Sequence, residues 1–312
     1  MELAPVVIFT YNRLNHLKQT VEALKANYLA DDTVIYIYSD AASNDRAVEE
    51  INAVRAYISG ITGFKSVEKM FREHNYGGLK NIMEGQNEVV NRHGKAIIME
   101  DDNITSRNFL TFMNQGLDFY ENDPDVYSVC GYCPPIVSGI ESDFDAWHYP
   151  WNISWGYGFW KSKYDKFHPL KNRFPEMRRS GLLRKIIGMG GLYIVDSLRR
   201  DFNNQAMFPD AILCADMTNA GMYSILPCVS KVKNIGSDGS GTSKGVLTDK
   251  YDVDLDDGSQ LEFRFVCDPA TDLRYTKLVQ SFYNGRLVTR IARHLAVYHL
   301  WIKLKSWLMS FK

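Results

Sequence analysis

Three consecutive carboxylates, Glu100, Asp101 and Asp102, follow the apolar run Ala96–Met99, whose composition predicts a buried central strand. Like charges held this close repel one another unless a cation or solvent offsets them. Mg²⁺ and Mn²⁺ take oxygen ligands and bind through one or two carboxylates together with substrate phosphates. The triplet therefore predicts a Mn²⁺ or Mg²⁺ site. The alternative is that the acids favour the N-terminus of the helix predicted from Ser106.

The elements that must position these acids alternate between strand and helix over the first 130 residues. The predicted strands are Val6–Phe9, Thr33–Tyr38, Ser66–Phe71, Ala96–Met99 and Val126–Cys130. This alternation predicts a mostly parallel sheet with helices on both faces. Ligands of such sheets bind outside the carboxyl ends of the strands, so Thr10–Arg13 and Asp40 are expected beside Glu100–Asp102.

The second half of the chain has a different pattern. An aromatic, turn-rich segment from about Tyr132 to Trp160 precedes a mainly helical one, Lys161–Asn219, and Asn234–Lys244 is a loop rich in glycine and serine. Four tryptophans cluster in the aromatic segment: Trp147, Trp151, Trp155 and Trp160. Aromatic faces suit the apolar faces of sugar rings, and the alternative is a tryptophan-rich core.

The pairing of VVIFTYNR with IIMEDDNITSRNFLTFMN resembles glycosyltransferases of the GT-A fold, specifically the N-acetylglucosaminyltransferase I-like group and its bacterial family 2-like relatives. In that group Glu-Asp-Asp stands in place of Asp-x-Asp. The resemblance implies that Asp102 binds the metal directly and that Glu100 and Asp101 contact the donor ribose or metal-bound water. It also implies a nucleotide pocket formed by Thr10, Asn12, Arg13 and Asp40.

The resemblance is patchier in the second half of the chain. The relatives carry a Trp-Gly segment, then an acid, then an Asn-Ile-Gly loop with glycine, threonine and often histidine. The segment Trp155-Gly156, with Trp151 and Trp160, is expected on the sugar or acceptor side. Ser243 occupies the position of the histidine, so Ser243, Thr242 or Lys244 is expected to contact phosphate instead. Lys80, beside the turn Asn75–Gly78, is a further diphosphate candidate, although a plain turn explains it equally well.

A transfer that inverts the anomeric carbon needs a base opposite the leaving diphosphate. Asp216 lies in an apolar segment, where burial would raise its pKa, and is the first choice. Asp210 follows Phe208-Pro209 and is the second choice, with helix capping as its alternative role.

Composition and missing motifs exclude other classes. The net charge of −1 gives no electrostatic reason to expect nucleic-acid binding. No glycine-rich dinucleotide or P-loop motif follows the first strand, and no G-x-S-x-G hydrolase motif is present. The remaining alternatives are a nucleotidyltransferase acting on sugar phosphates and a non-catalytic carbohydrate-binding protein.

The segment from Leu273 to Lys312 contains no acidic residue and combines basic with apolar side chains, including Trp301 and Trp307. This predicts an amphipathic C-terminal helix that lies on an anionic membrane surface, with packing against the domain as the alternative. The expected organisation is a nucleotide-sugar half (1–130), an acceptor and catalytic half (131–271) and the tail (272–312). We therefore expect a metal-dependent, inverting transferase that moves a sugar from a nucleotide diphosphate, UDP above all, to a glycan or lipid-linked acceptor. Its expected place is the cytoplasmic face of a bacterial cell membrane, in surface polysaccharide synthesis.

Overall fold

A computed structural model describes residues 2–135, 142–168, 170–241, 248–267, 273–298 and 300. The strands in this part of the chain are β1 (Val6–Thr10), β2 (Val34–Ser39), β3 (Ser66–Phe71), β4 (Lys95–Glu100), β5 (Asn103–Thr105), β6 (Val126–Cys130), β7 (Ala146–Tyr149), β8 (Tyr157–Trp160), β9 (Tyr223–Pro227) and β10 (Val232–Asn234). The helices are α1 (Leu14–Lys25), α2 (Val48–Ser59), α3 (Gly78–His93), α4 (Phe109–Phe119), α5 (Lys161–Tyr164), α6 (Phe174–Arg179), α7 (Leu182–Gly188), α8 (Leu192–Phe202), α9 (Pro209–Ala220), α10 (Leu273–Asn284) and α11 (Leu287–His294).

Eight strands form one sheet in the order β3-β2-β1-β4-β8-β6-β9-β7. The first four are mutually parallel, β6 and β9 are parallel, and β8 and β7 run antiparallel to their neighbours. The predicted α/β class, with a largely parallel sheet and covering helices, is confirmed. The strands β7 and β8 were not predicted, because the aromatic segment that contains them lacks the alternation that marks a strand.

The core explains why these segments form these elements. All residues of β1 are buried, as expected for a central parallel strand covered on both faces. One face of α1, with Leu17, Val21 and Leu24, packs against the sheet. A single apolar cluster extends from Ala4 to Val279 in α10, across the predicted boundaries at 130 and 271. Those boundaries stay a prediction.

A second sheet of two strands determines what surrounds the acidic triplet. β5 and β10 pair antiparallel, with Asn103 opposite Asn234. Because β5 follows Asp102 directly, α4 begins only at Phe109, and the side chain that accepts from its first turn is Asn27, which bonds the Leu110 amide at 2.9 Å. The capping explanation for Glu100–Asp102 is therefore wrong.

The C-terminal segment differs from the expected single helix. α10 packs into the domain, where Tyr275 stacks on Trp147 at 5.0 Å and Val279 is fully buried. Gly285 adopts a left-handed φ of 76° and separates α10 from α11. Residues 301–312, which include both tail tryptophans, lie outside the described residues. Among the helices that are described, none combines the length and the apolarity that a membrane crossing requires.

Candidate active site

A cleft of about 620 Å³ opens where β1, β2 and β4 end. Its volume is within the roughly 300–1,000 Å³ typical of small-molecule sites. The predicted donor-site residues that line it are Thr10, Asn12, Arg13, Asp40, Glu100 and Asp101. These six side chains lie together because the carboxyl ends of neighbouring parallel strands meet at one edge of the sheet.

The guanidinium of Arg13 joins the two aspartates of the triplet. Its Nη2 atom donates to Oδ1 of Asp101 and to Oδ2 of Asp102, the latter at 2.8 Å. Thr10 donates its hydroxyl to the other oxygen of Asp101 at 2.9 Å. Burial by itself lowers the pKa of Arg13, but the two carboxylates outweigh it and the pKa is raised. Arg13 therefore carries a full charge that offsets part of the repulsion within the triplet.

Glu100 faces the cleft without such a partner. Among the described residues, its carboxylate makes no hydrogen bond and no ion pair. Burial, together with the charges of Asp102, Asp101 and Asp210, raises the pKa of Glu100 to about 8. The cleft therefore has one carboxyl group that gains from any cation brought to it.

Asp102 is buried, with 5% of its surface exposed. Its Oδ1 atom accepts from the side-chain amides of Asn103 at 3.0 Å and Asn234 at 2.7 Å. The loop after β10 covers it: Ile235 donates its amide to the Asp102 carbonyl, and a Cβ at Gly236 would overlap Oδ2 of Asp102. The pairing of β5 with β10 thus places the Asn-Ile-Gly segment on the acid that was predicted to bind metal.

The acidic groups at this edge of the sheet are candidate ligands for a divalent cation. Glu100 is close enough to Asp101, Asp102 and Asp210 to feel their charges, and Arg13 offsets part of the charge of the triplet. Within the described residues, no three His, Cys, Asp or Glu side chains converge closely enough to hold a metal by themselves. A divalent cation at this edge would need part of its coordination from a phosphate-bearing ligand, which is how Mg²⁺ is commonly bound.

Asp40 has a positioning role in this structure. Its carboxylate accepts from the backbone amides of Ala41, Tyr76 and Gly77 at 2.8–2.9 Å, and from the side chain of Asn75 at 3.3 Å. These bonds fix the turn before α3 on the rim of the cleft. With both oxygens so engaged, Asp40 shapes the pocket and has little capacity left to bind a nucleotide directly.

Lys80 does not line the cleft. It pairs with Glu84 at 3.6 Å and lies over the ring of Tyr76 at 4.4 Å, with a largely exposed side chain. Thr242, Ser243 and Lys244, the other expected phosphate contacts, lie outside the described residues. Ser240 and Gly241, which directly precede them, do line the cleft.

Ser43, Arg46 and Glu50 also line the cleft but were not predicted from the sequence. Tyr11 donates its hydroxyl to Ser43 at 2.8 Å, and Asn12 donates to Glu50 at 2.6 Å. Arg46 also lines the cleft and adds a second cation to it. Their position shortly after β2 was the available signal, but the length of that loop gave no indication of which side chains turn inward.

The two candidate bases lie on the same helix, α9, but in different surroundings. Asp210, in its first turn, is close enough to Glu100 for its charge to raise the pKa of Glu100. Asp216 forms an ion pair with Arg173 at 3.0 Å and lines a separate pocket. Neither acid lines the cleft, but Asp210 lies nearer to the acidic triplet than Asp216, so position favours Asp210 over the order expected from the sequence.

Asp210 is held in place by a chain of hydrogen bonds from the sheet. Ser154 donates to its Oδ1 atom at 2.6 Å, Asn152 donates to Ser154 at 3.1 Å, and Ser128 of β6 donates to Asn152 at 2.7 Å. Asp210 is exposed to solvent, although the protein atoms around its carboxyl group raise the pKa of Asp210. A carboxylate with a raised pKa is a stronger proton acceptor than one in water.

The tryptophans expected to bind sugar are mostly in the core. Trp151 is fully buried, with its indole N–H donated to Thr218 at 2.9 Å, and Trp160 is 3% exposed. The prediction that these two contact sugar is wrong, because neither ring is accessible. Trp155 is partly exposed and packs edge-on against Tyr132 and Tyr251. Gly156 has a left-handed φ of 64° and accepts from the amide of Gly131, so its role is in the backbone.

No family model matches the chain, and no curated protein matches it in sequence. Among solved structures it is similar to the mannosyltransferase PcManGT from Pyrobaculum calidifontis in complex with GDP-Man and Mn²⁺, at 12% identity over 70% of this chain and 68% of that one, with a TM-score of 0.41. It is also similar to S. aureus TarS 1–349, at 9% identity over 74% and 59%, with a TM-score of 0.42. A third similar structure is the galactosyltransferase LgtC with donor and acceptor sugar analogs, at 9% identity over 70% and 72%, with a TM-score of 0.38. Similarity at this level does not transfer an activity, so the function must be argued from the residues of the cleft.

Proposed function

We propose that this chain is a metal-dependent, inverting glycosyltransferase that moves a sugar from a nucleotide diphosphate, UDP above all, to a hydroxyl of a glycan. The observation that carries the proposal is that Arg13, Glu100 and Asp101 line one cleft, with Asp102 bound to Arg13 and Asp210 close enough to Glu100 to raise its pKa. The excess negative charge of the triplet suits a divalent cation that carries a diphosphate. The carboxyl group of Asp210, whose pKa is raised, suits proton transfer.

On the donor side, Asp102 and Glu100 are the proposed ligands of Mn²⁺ or Mg²⁺, and Asp102 would exchange its contact with Arg13 for the ion. When bound, the ion would neutralise charge on the leaving diphosphate. Arg13, released from Asp102, and Arg46, which also lines the cleft, would bind phosphate oxygens, since arginine suits phosphate geometry. Asp40 keeps the turn before α3 in place.

On the acceptor side, Asp210 would accept the proton of the attacking hydroxyl. The acceptor oxygen then forms its bond to the anomeric carbon while the bond from that carbon to the diphosphate oxygen breaks. A single displacement of this kind inverts the anomeric configuration. Ser154 orients the base through its hydrogen bond to Oδ1.

The proposed setting is the cytoplasmic face of a bacterial membrane, where the acceptor would be a lipid-linked glycan of a surface polysaccharide. α11 presents one face of exposed apolar residues, with Leu287 70%, Ile291 49% and Leu295 63% exposed. Arg286 and Arg290 flank this face, and no acid occurs from Leu273 onwards. An exposed apolar stripe beside basic side chains suits an anionic lipid surface.

The test is a thermal-shift panel of nucleotide sugars with and without Mn²⁺, because a ligand that binds only the folded state raises its stability. We expect a shift that requires the ion, is lost in Asp102→Asn, and is accompanied by slow release of free sugar and nucleoside diphosphate. A shift that persists in excess chelator would overturn metal dependence. Release of pyrophosphate from a nucleoside triphosphate and a sugar phosphate would indicate nucleotidyl transfer, and sugar binding without turnover would indicate a carbohydrate-binding protein.

A further inference from the structure

A groove runs from the cleft along one face of α9. Two pockets of about 490 and 340 Å³ line up on this helix. The nearer contains Pro209 and Ile212, and the farther contains Asp216 and Asn219. Ile212, Asp216 and Asn219 follow Pro209 by three, seven and ten residues, which places the four side chains on one face of the helix. At 1.5 Å per residue, this face is about 15 Å long. The pockets share Lys171 on the opposite wall, so together they form one groove.

The near end of this groove adjoins the proposed base. Pro209 directly precedes Asp210, and Leu79 and Met83 of α3 form the near wall. Gly78 and Ile82 of α3, which directly precede Leu79 and Met83, line the donor cleft. The near end of the groove therefore lies beside the start of α9, where Asp210 follows Pro209, and close to the donor cleft.

The near pocket combines apolar side chains with amides. Asn204 and Gln205, which line it, are exposed, and within the described residues their side-chain amides have no hydrogen-bond partner. Asp201 accepts from the Phe208 amide at 2.7 Å and so holds the ends of the loop that carries them. Apolar walls with a few free amides suit a sugar, which presents apolar ring faces and hydroxyls.

The far pocket is positively charged. Lys166 and Lys171 are exposed, and in the part of the chain that the structure describes neither forms an ion pair. Arg173 adds a third cation, and Asp216 offsets only one of the three. Burial lowers the pKa of His168, which stacks on Tyr164, so this ring adds no charge at neutral pH. The pocket therefore favours an anion.

We infer that this groove binds the acceptor, and that the acceptor is an anionic saccharide whose phosphate or carboxylate lies between Lys166, Lys171 and Arg173 while a hydroxyl reaches Asp210. The role of the bound sugar as acceptor rests on the proposed function. The binding of an anionic sugar in this groove does not depend on that function. Asp216 acts here as a positioning residue, because it fixes Arg173 in the far pocket.

The test uses three probes, glucose 6-phosphate, glucuronic acid and glucose, whose dissociation constants are measured by ligand-observed NMR on the full chain. We expect the two anionic sugars to bind roughly tenfold more tightly than glucose, with the advantage falling as salt is added. Lys166→Glu combined with Lys171→Glu should remove that advantage, so that the two anionic sugars bind no more tightly than glucose does. The ratio between the phosphate and the carboxylate identifies which anion the pocket prefers.

Two controls make the result decisive. Lys18→Glu combined with Lys65→Glu changes the net charge equally at exposed sites away from the groove and should preserve the preference. Metal-dependent hydrolysis of a nucleotide sugar should proceed in the Lys18→Glu, Lys65→Glu variant as it does in the parent chain, because both sites lie away from the cleft. Equal affinity for all three sugars, or an anion preference that survives Lys166→Glu with Lys171→Glu, would overturn the inference. A failure of donor hydrolysis in the parent chain would instead count against the proposed function.

Discussion

Gly236 lies directly against the carboxylate of Asp102, so closely that a Cβ at position 236 would overlap Oδ2 of that side chain. The pairing of β10 with β5 fixes this approach, since Asn234 and Asn103 are opposite one another in the register. The loop after β10 is therefore in direct contact with Asp102, and a substitution in the loop should displace the Asp102 carboxylate.

Gly236→Ala should weaken Mn²⁺-dependent donor binding by roughly tenfold or more, because the added methyl group displaces the Asp102 carboxylate or the loop. The measurement is the dissociation constant of a UDP-sugar with saturating Mn²⁺. Gly241→Ala is the matched control, since its nearest neighbour, Nη1 of Arg13, would be 3.4 Å from the new Cβ. If both variants bind donor like the parent, the proposed role of Asp102 is wrong.

Arg13→Ala should destabilise the fold by roughly 3–5 kcal/mol, because it leaves the carboxylate of Asp101 buried without its counter-charge. Chemical denaturation at neutral pH measures this change. The same substitution in an Asp101→Asn background should cost clearly less, because the amide carries no charge to be offset. An equal cost in both backgrounds would mean that Arg13 stabilises the fold through packing alone.

Asp210→Asn should reduce sugar transfer by roughly 10²–10⁴-fold while donor and metal still bind, because an amide cannot accept the hydroxyl proton. Initial rates and donor affinity are measured on the same preparation. Asp216→Asn is the matched control on the same helix and should retain the rate constant at saturating acceptor, with a raised KM for an anionic acceptor. Loss of the rate constant in Asp216→Asn with full activity in Asp210→Asn would restore the order expected from the sequence.

Glu100→Gln should raise the melting temperature at neutral pH when metal is absent. The pKa of Glu100 is raised to about 8, chiefly by burial, so between its ordinary pKa and about 8 the folded state holds a proton that the unfolded state has lost. The contribution of protonated Glu100 to the free energy of unfolding is fully present below its ordinary pKa and is lost as the pH rises to about 8. The advantage of Glu100→Gln should therefore grow across this range in melting scans with chelator. Glu73→Gln, at an exposed position, should show no such trend.

Substitution of Leu287, Ile291 and Leu295 by serine should reduce co-sedimentation with phosphatidylserine vesicles, because these side chains provide the exposed apolar face of α11. Leu261→Ser, at another exposed apolar position that is 45% exposed, should leave vesicle binding unchanged. Point substitutions are preferable to a truncation near residue 282, because Asn284 is 5% exposed and belongs to the packed part of α10. Equal sedimentation of all variants would leave α11 as a packing helix.

Much of the first half of the fold could be predicted because its signals are local. The spans of β3 and β6 match the prediction fully, and β1, β2 and β4 differ by one residue at either or both ends. A buried strand needs apolar side chains along its whole length, and a run of such residues can be recognised in the sequence. The aromatic segment carried no such signal, because Trp151 and Trp160 have the same composition whether they line a sugar site or fill a core.

The sequence by itself determined the α/β class and the edge of the sheet where Thr10, Arg13 and Glu100 meet, since strand order along the chain dictates which residues follow parallel strands. Only the tertiary structure decided which acid on α9 faces that edge. Asp210 and Asp216 are six residues apart in one helix, and the pKa of each is raised by the protein around it. Their partners, Ser154 and Arg173, come from distant parts of the chain, and such long-range contacts leave no trace in local composition.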